Sequence, residues 1–462
     1  MTDSPTAPGP TDPSTTPIWK VAAASFIGTA VEWYDFFLYG TAAALVFNRL
    51  FFPSFNPLMG TLAAFGTFAV GFVARPLGGI IFGHFGDKLG RKSMLSATLM
   101  IMGVATFAIG LLPTYASAGV LAPILLVVLR IFQGFGLGGE WGGAVLMAVE
   151  SAPAHRRGFY GSWPQMGAPA GLLVANAVFS IFSGLPEDQF ISWGWRVPFL
   201  FSAVLIGIGV FIRLGVAESP AFRAAHQHKP AEKSTPPVLE VLRTYPRQIL
   251  LAMGARFAEN GFFYIVTTFV LAYGTSIGLE RAAMLKAVLV ATCVHLVAIP
   301  AFGALSDVVG RRPVYIGGAV GCALLAFPFF WLIDTKQTGA VWLAISLGII
   351  AHGAMYGPQA SFFSELFGTR VRYSGASLGY QLASVFAGGL SPLVATGLLQ
   401  ATDNAPWSVS LYMVGLALVT IVSVYLSAET FREGIGTDVP GGAPGGAPGA
   451  DASGSESRRE VA

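Results

Sequence analysis

Apolar segments of about 20 residues recur through most of the chain, and no other feature restricts the fold as strongly. As a helix, such a segment spans a hydrocarbon core of roughly 30 Å, because an α-helix rises about 1.5 Å per residue. Charged residues make up 11% of the 462 residues and hydrophobic residues 54%, which is far from the composition of a soluble domain. The sequence therefore predicts an all-α polytopic protein embedded in a lipid bilayer.

Windows of about 19 residues predict twelve transmembrane helices. They are expected to begin near Lys20, Pro57, Lys92, Val120, Phe159, Trp193, Arg247, Ala283, Pro313, Ala340, Tyr373 and Trp407. The predicted domains are a disordered cytosolic tail (1–17), a six-helix bundle (18–215), a polar cytosolic linker (216–246), a second six-helix bundle (247–428) and a disordered low-complexity cytosolic tail (429–462). The first residues lack the basic region of a signal peptide.

Basic residues are concentrated in loops on one side of the predicted helices. These residues are Lys88, Arg91, Lys92, Arg156, Arg157, Arg311, Arg312, Arg370 and Arg372. The excess of positive charge predicts that these loops face the cytoplasm, and an even number of spans then places both termini there. The net charge of +3 is spread over loop ends, so no nucleic-acid partner is expected.

Two sequence pairs indicate an internal repeat. The segments "GHFGDKLGRKSML" (83–95) and "GALSDVVGRRPVY" (303–315) share the pattern G-x-x-x-D-x-x-G-R-K/R and follow the second and eighth helices. The segments "ESAPAHRRG" from Glu150 and "ELFGTRVRY" from Glu365 follow the fourth and tenth helices. The chain is therefore predicted to consist of two homologous six-helix halves.

Together with these repeats, several ordered motifs carry a family resemblance. The motifs "EWYDFFLYG", "FVARPLGG", "RIFQGFGLGGEWGG" and "SWGWRVPFLFS" make the chain similar to the major facilitator superfamily, and within it to the metabolite:proton symporters. The resemblance covers nearly the whole chain except the tails. It implies two pseudo-symmetric bundles, alternating access, a bacterial inner-membrane location, a monomer, and uptake driven by the proton gradient without a cofactor.

The resemblance also implies a small organic acid as substrate, and shikimate or a similar carboxylate is favoured. Proline- or betaine-type zwitterions and di- or tricarboxylates such as 2-oxoglutarate or citrate remain as alternatives. An enzyme is not expected, because no nucleophile or metal motif such as G-x-S-x-G or H-E-x-x-H lies within the predicted helices. Cys293 and Cys322 fall inside predicted helices and are expected to be packing residues, with no metal site.

Two carboxylates interrupt the first apolar segment. Glu32 and Asp35 lie three residues apart, on the same helical face as Tyr39. A charged residue at the centre of a membrane helix costs roughly 2.5–3.5 kcal/mol on insertion scales, so these groups should face the bundle interior and have a partner. Arg130, near the middle of the fourth helix, is the expected partner. We predict that Asp35, with Glu32, binds the coupling proton; the alternative is a structural network.

Other buried polar residues are weaker candidates. The full set of predicted substrate-binding residues is Arg130, Tyr39, Gln133, Glu140, Arg256 and Glu259. For Glu140, which lies in a glycine-rich stretch, close helix packing is the favoured alternative. Arg256 and Glu259 lie three residues apart, so they can neutralise each other or line a cavity. His295 and His352 also lie within predicted helices, where packing is the more common role of a single histidine.

The repeated loops predict a cytoplasmic gate. By resemblance to the family, they form a latch that stabilises the outward-facing state and breaks during alternation. Its predicted members are Gly83, Asp87, Gly90, Arg91, Glu150, Arg157, Gly303, Asp307, Gly310, Arg311, Glu365 and Arg372. The alternative is that these charges only fix the membrane topology.

Overall fold

The structure is a computed structural model, and it describes residues 18–89, 91–138, 141–150, 152–215, 242–367 and 372–431. Six of the predicted site residues lie outside the part of the chain whose side chains are described. They are the predicted gate residues Gly83, Asp87, Gly90, Arg91 and Glu150, and the candidate substrate residue Glu140. Most of the predicted tails and linker also lies outside it.

The described residues form twelve long helical segments. The first half contains α1 (Ile18–Leu45), α2 (Pro57–Leu89), α3 (Arg91–Leu111), α4 (Leu121–Leu137 and Trp141–Glu150), α5 (Arg157–Ser183) and α6 (Arg196–Gly215). The second half contains α7 (Pro246–Ser276), α8 (Arg281–Val309), α9 (Arg311–Asp334), α10 (Thr338–Glu365), α11 (Arg372–Ala401) and α12 (Trp407–Tyr425). Short helices at Phe47–Phe51, Tyr115–Ala118 and Glu187–Gln189 lie in the connections.

Most of these helices are long and apolar enough to cross a membrane. Among the described residues, α2, α5 and α7 to α12 meet this condition. The apolar part of α6, Arg196–Phe211, meets it only together with the connecting segment before it, across a bend of 41° that is typical of a broken span or a re-entrant loop. The described apolar parts of α3 and α4, Ser96–Leu111 and Leu121–Leu137, are shorter. The predicted all-α membrane fold is confirmed, and each observed helix begins within three residues of its predicted start.

Two helices change their hydrogen-bonding pattern near the middle of the molecule. A π-helical turn occupies Ile265–Phe269 in α7, and another occupies Ser384–Gly389 in α11. Such turns are rare and often lie at functional sites, because they rotate the following side chains relative to the preceding ones. The turn in α7 directly follows Tyr264. The turn in α11 begins with Ser384, whose hydroxyl accepts a hydrogen bond from Arg256.

The two halves meet mainly where α5 packs against α8 and α2 packs against α11. At one end of the α5–α8 contact, a Cβ atom on Gly158 would overlap the Gly303 carbonyl oxygen, so only glycine allows this approach. We call this end, which also holds Asp307, the Asp307 end. The opposite end of the molecule, which holds Glu187, is the Glu187 end.

The predicted boundary of the C-terminal tail needs a correction. Residues 429–431 were assigned to a disordered tail, but the Glu429 carboxylate accepts hydrogen bonds from the backbone N–H groups of Arg311 and Arg312, both at 3.0 Å. A carboxylate at the N-terminus of α9 satisfies amides that lack partners within the helix. This short segment therefore belongs to the second bundle.

Candidate functional site

The Asp307 end is closed by a carboxylate that crosses between the halves. Asp307, on α8, accepts hydrogen bonds from the backbone N–H groups of Gly158 (2.8 Å) and Phe159 (2.9 Å) in the first turn of α5. The positive end of the α5 dipole and its unpaired amides both favour this anion. Arg311 also donates to Asp307 at 2.7 Å. The repeated loop of the second half thus ties its own bundle to the first.

Arg311 connects this contact to the end of α10. Its guanidinium forms an ion pair with Glu365 at 3.2 Å, and Thr430 donates to the same carboxylate at 2.6 Å. Gly310, just before it, has a φ of 113°, a conformation that favours glycine. Among the other predicted gate residues, Arg372 donates to the Phe367 carbonyl, and the Arg157 carbonyl accepts from Ser361. Of the predicted gate residues, Asp307, Arg311 and Glu365 thus contact one another. That they form a gate stays a prediction.

Asp307→Asn is expected to open this end more often. The amide keeps the shape but loses the charge at the α5 N-terminus and the ion pair with Arg311, which together contribute about 1–2 kcal/mol, a factor of roughly 5 to 30 in the ratio of closed to open states. The measurement is the rate at which a water-soluble reagent alkylates Ser162→Cys, whose native side chain is fully buried between the halves.

This experiment needs a background in which Cys293 and Cys322 are replaced by serine. Asp403→Asn, at an exposed turn, is the matched control and should leave the alkylation rate unchanged. Equal rates in Asp307→Asn and the parent protein would contradict a closing role for Asp307.

The Glu187 end is closed by a second charged contact. Glu187, after α5, forms ion pairs with Arg281 at the start of α8 (3.4 Å) and with Arg49 after α1. The Arg281 guanidinium also lies over the Phe190 ring at 4.5 Å. Sequence analysis did not identify this clasp, because its members come from three separate loops without a shared motif.

The charge state of the clasp depends on pH only in the acid range. Partial burial raises the pKa of the Glu187 carboxyl, but the guanidinium groups of Arg281 and Arg49 outweigh this effect and hold the pKa below its ordinary value. Because the pKa is lowered in the closed state, the clasp is complete above the ordinary glutamate pKa and is lost as the pH falls through the lowered one.

Glu187→Gln is therefore expected to populate the open Glu187 end slightly more at neutral pH and to differ little from the parent protein in strong acid. Exposed ion pairs contribute about 0.2–1 kcal/mol, so the change should be at most about fivefold. The measurement is the distance distribution between spin labels at Gln189→Cys and Glu280→Cys, which lie on different halves. A Glu187→Gln effect that persists undiminished in strong acid would contradict this assignment.

With both ends closed, the space between the halves is small. In one cavity between the halves, the centre of a water molecule can move within a volume of about 20 Å³. The cavity is lined by residues of both halves: Thr29, Glu32, Trp33, Arg75, Leu137, Trp141, Val145, Pro164, Gln165, Tyr356, Tyr380 and Gln381. Its size fits one or two water molecules. Among the described residues, the contacts at both ends and this small cavity are those of a closed central site, with its polar side chains close together.

Arg75 is the main cation of this cavity. The guanidinium is fully buried beside the rings of Phe36 (4.2 Å), Phe72 (4.6 Å) and Trp33 (5.1 Å), and its Nε and Nη2 atoms have no hydrogen-bond partner among the described residues. Glu32 lines the same cavity and is also buried. A buried guanidinium with two unsatisfied donors is costly unless an acceptor binds there. The two donors are suited to the two oxygens of a carboxylate.

Asp35 lies apart from Arg75 in the first bundle. Its carboxyl group is buried, and within the described part of the chain Oδ1 has no hydrogen-bond partner and the Thr106 hydroxyl is a side-chain neighbour. An ionised carboxylate without a counter-charge in such a place costs several kcal/mol. A protonated carboxyl is the form that this environment accommodates best, which fits a proton-binding group.

The predicted pairing of Arg130 with Asp35 is wrong. Arg130 donates to Gln133 Oε1 at 3.0 Å and lies over the rings of Phe36, Tyr39 and Phe68 at 4.1–4.7 Å. Gln133 in turn donates to Thr106 at 2.7 Å. Among the described residues, Gln133 and Thr106 thus lie between Arg130 and Asp35. A Gly71–Gly134 contact draws α2 against α4 and encloses the Arg130 guanidinium among aromatic rings.

In the second half, Arg256 and Glu259 do neutralise each other. Their ion pair is 2.9 Å long and fully buried. Glu259 also accepts from Gln359 at 2.9 Å and lies 3.4 Å from His352 Nε2, while His352 Nδ1 lies 2.9 Å from His295 Nε2. The histidines are therefore joined to each other and to a carboxylate, which the sequence analysis did not foresee.

A chain of polar and aromatic contacts links the two halves at the centre. Trp141 donates to Gln165 at 3.0 Å, and Gln165 donates to Gln359 at 3.2 Å, which reaches Glu259. The Trp141 ring stacks on the Tyr380 ring with their centroids 3.8 Å apart, and the Arg256 guanidinium lies 3.1 Å from the centroid of the same Tyr380 ring. The central site is therefore shared by both halves.

Sequence reasoning missed Arg75, Trp141, Gln165 and Gln359 as site residues, and for Tyr380 it favoured core packing over a stacking contact with a cyclic substrate. A signal for Arg75 was available, because it is a charged residue within an apolar helix, as Asp35 is. The others carry no net charge, and only their contacts identify them. Within the described ranges, no group of three or more histidine, cysteine, aspartate or glutamate side chains is placed to hold a metal ion.

Comparisons with known proteins agree with this architecture. Residues 25–392 match the family model described as Major Facilitator Superfamily. The chain is 46% identical over 416 residues to the "Shikimate transporter" of Escherichia coli (strain K12), covering 89% of this chain and 95% of that one. It is 33% identical to the "Proline/betaine transporter" of the same organism, covering 89% and 83%. The fold is similar to the crystal structure of a D-xylose-proton symporter, with a TM-score of 0.70, 18% identity, and coverage of 90% and 99%.

Proposed function

The chain belongs to the Major Facilitator Superfamily and is a membrane transporter, not an enzyme, and we propose that it takes up a small organic acid by proton-coupled symport. The proposed cycle is alternating access around the cavity between the two bundles. The loops of the Asp307 end face the cytoplasm of a bacterial cell in this proposal, in line with their positive charge. The transporter acts as a monomer and needs no bound cofactor.

The observation that carries the proposal is the Arg75 guanidinium, which is buried in the shared cavity with two unsatisfied donors. A substrate carboxylate would accept both hydrogen bonds and neutralise the charge. Trp33, Trp141 and Tyr380 line the same cavity, and their faces suit a compact ring. These features support an anionic cyclic substrate, and shikimate is the leading candidate given the identity to a shikimate transporter.

A zwitterion of the proline or betaine type is the second candidate. Glu32 lies in the same cavity as Arg75, and three aromatic rings surround the space between them. Aromatic rings with a carboxylate recognise quaternary ammonium groups, while Arg75 would take the carboxylate end of the same molecule. Di- and tricarboxylates such as 2-oxoglutarate and citrate have only one unpaired cation available among the described cavity residues.

Asp35 is the proposed proton-binding residue, together with Glu32. Asp35 is buried without a counter-charge, and Thr106 and Gln133 connect it to Arg130. When an outward opening admits water, the carboxyl exchanges its proton; when the site closes, only the neutral form is readily buried. Substrate and proton then favour the same closed state, because the substrate anion neutralises Arg75 and the proton neutralises Asp35.

The test is uptake of labelled shikimate by proteoliposomes that contain the full chain, with and without an inward proton gradient. Unlabelled 2-oxoglutarate, citrate, proline and betaine serve as competitors. Gradient-dependent uptake that only shikimate-like acids inhibit is expected. Gradient-driven uptake of betaine without uptake of shikimate would show that the substrate is a zwitterion of the betaine type. Uptake that does not depend on the proton gradient would refute the symport mechanism.

A further inference from the structure

The second half contains a chain of titratable groups that the proposed mechanism does not use. It runs from His295 on α8 through His352 on α10 to Glu259 on α7. All three side chains are buried. The chain borders a second cavity of about 10 Å³ between the halves, close to the volume that one water molecule needs.

The hydrogen-bond partners assign the histidine tautomers. An ionised Glu259 can only accept, so His352 Nε2 carries a proton and donates to it. His352 Nδ1 is then an acceptor, and His295 Nε2 must donate to it. His295 Nδ1 is left as an unprotonated acceptor, and it has no partner in the part of the chain that the structure describes. This hydrogen-bonded series thus ends at Glu259 in a carboxylate that accepts a hydrogen bond, and at His295 in a ring nitrogen that can still bind a proton.

We propose that His295, His352 and Glu259 form a second proton site, in which a proton that enters at His295 is relayed to Glu259. This inference rests on the proposed proton-coupled symport and assigns it a second proton. When a proton binds His295 Nδ1, the Nε2 proton of His295 moves to His352 Nδ1, and the Nε2 proton of His352 moves to Glu259 Oε1. One proton is gained, both histidines end neutral, and every transferred proton lies in an existing hydrogen bond.

Protonation of Glu259 changes the state of Arg256. The ion pair between Arg256 Nε and Glu259 Oε2 loses its negative partner, while the Arg256 Nη1 bond to the Tyr380 carbonyl at 2.6 Å remains. Arg256 also lines the second cavity. A proton on Glu259 therefore leaves a second guanidinium in need of an anion near Arg75, and the Tyr380–Trp141 stack connects the two cavities.

Other charged and titratable groups face the chain from the surrounding helices. They are Arg256 and Tyr264 on α7, Tyr315 on α9, Tyr356 on α10, Tyr380 on α11 and, across the interface, Arg75 on α2. The tyrosines stay neutral near pH 7, and the nearby positive charges belong to arginines, which do not exchange protons in this range. From α1 and α5, only Trp33, Phe37, Ala168 and Pro169 line this cavity. Among these groups, His295, His352 and Glu259 are the ones joined by hydrogen bonds along which a proton can pass without an arginine or a tyrosine changing charge.

The first experiment needs no substrate. Infrared pH-difference spectra of the full chain in liposomes report each carboxyl group that binds a proton. We expect one carboxyl signal that is absent in Glu259→Gln and retained in Asp35→Asn. After a pH jump, this signal should rise more slowly in His295→Gln, because an amide cannot relay a proton. His155→Gln, at an exposed position, is the matched control. A spectrum of Glu259→Gln identical to that of the parent protein, or an unchanged rate in His295→Gln, would overturn the inference.

The second experiment counts protons with shikimate as the probe. At zero membrane potential, a tenfold shikimate gradient is balanced by a pH difference of about 1 unit if one proton is carried and about 0.5 unit if two are carried. We expect the smaller value for the parent protein and the larger one for Glu259→Gln. Equal values for both would refute the second proton. If shikimate does not move at all, the proposed substrate fails, and the infrared result still decides the inference.

Discussion

Asp35→Asn is expected to abolish gradient-driven accumulation of substrate while leaving exchange of labelled for unlabelled substrate. The amide has the shape of the protonated carboxyl and is neutral, so the site can still close and carry substrate. It cannot release a proton, however, so the gradient no longer drives net movement. Because the parent side chain is buried with one oxygen unpaired, the substitution removes no described ion pair and should not unfold the protein.

The measurement compares accumulation with counterflow in proteoliposomes at the same protein density. Asp188→Asn, at an exposed position between α5 and α6, is the matched control and should behave as the parent protein. Normal accumulation by Asp35→Asn would show that Asp35 does not carry the coupling proton. Loss of both activities with a normal elution profile would assign Asp35 to closure of the site rather than to coupling.

Arg75→Gln is expected to raise the KM for shikimate by about 30-fold or more. Removal of one partner of a buried, hydrogen-bonded charge pair costs about 2–5 kcal/mol, and each 1.4 kcal/mol is a factor of ten. The KM of Arg75→Lys should lie between those of the parent protein and Arg75→Gln, because lysine keeps the charge but lacks the paired donors that fit a carboxylate. Counterflow is the appropriate measurement, since it depends on binding and not on the proton gradient.

Two further variants separate this prediction from its competitors. Arg243→Gln, at an exposed position before α7, is the matched control. Arg130→Lys tests the cation that the sequence favoured, and it should weaken shikimate binding less, because Arg130 is enclosed by Gln133 and three aromatic rings. A large loss in Arg130→Lys with little change in Arg75→Gln would transfer the anion site to Arg130.

The predicted gate shows which contacts a sequence repeat can predict and which it cannot. The repeated G-x-x-x-D-x-x-G-R-K/R pattern predicted that Asp307 and Arg311 belong to one gate, and in the structure the Arg311 guanidinium donates to the Asp307 carboxylate at 2.7 Å. The pattern did not identify the backbone amides of α5 that Asp307 also binds, because those amides belong to the other half and have no side-chain signature. The clasp at Glu187 was missed for a similar reason.

The sequence by itself determined that the chain crosses a membrane as helices in two related halves, and it identified most of the charged residues buried inside. Long apolar segments have no other stable arrangement in lipid, and spacing along one helix fixes which residues share a face. Only the tertiary structure decided which side chains these buried residues contact. Arg130 lies among rings, Arg75 is left with unpaired donors, and His295, His352 and Glu259 form one chain, because the contacts between helices distant in sequence depend on how closely their backbones pack.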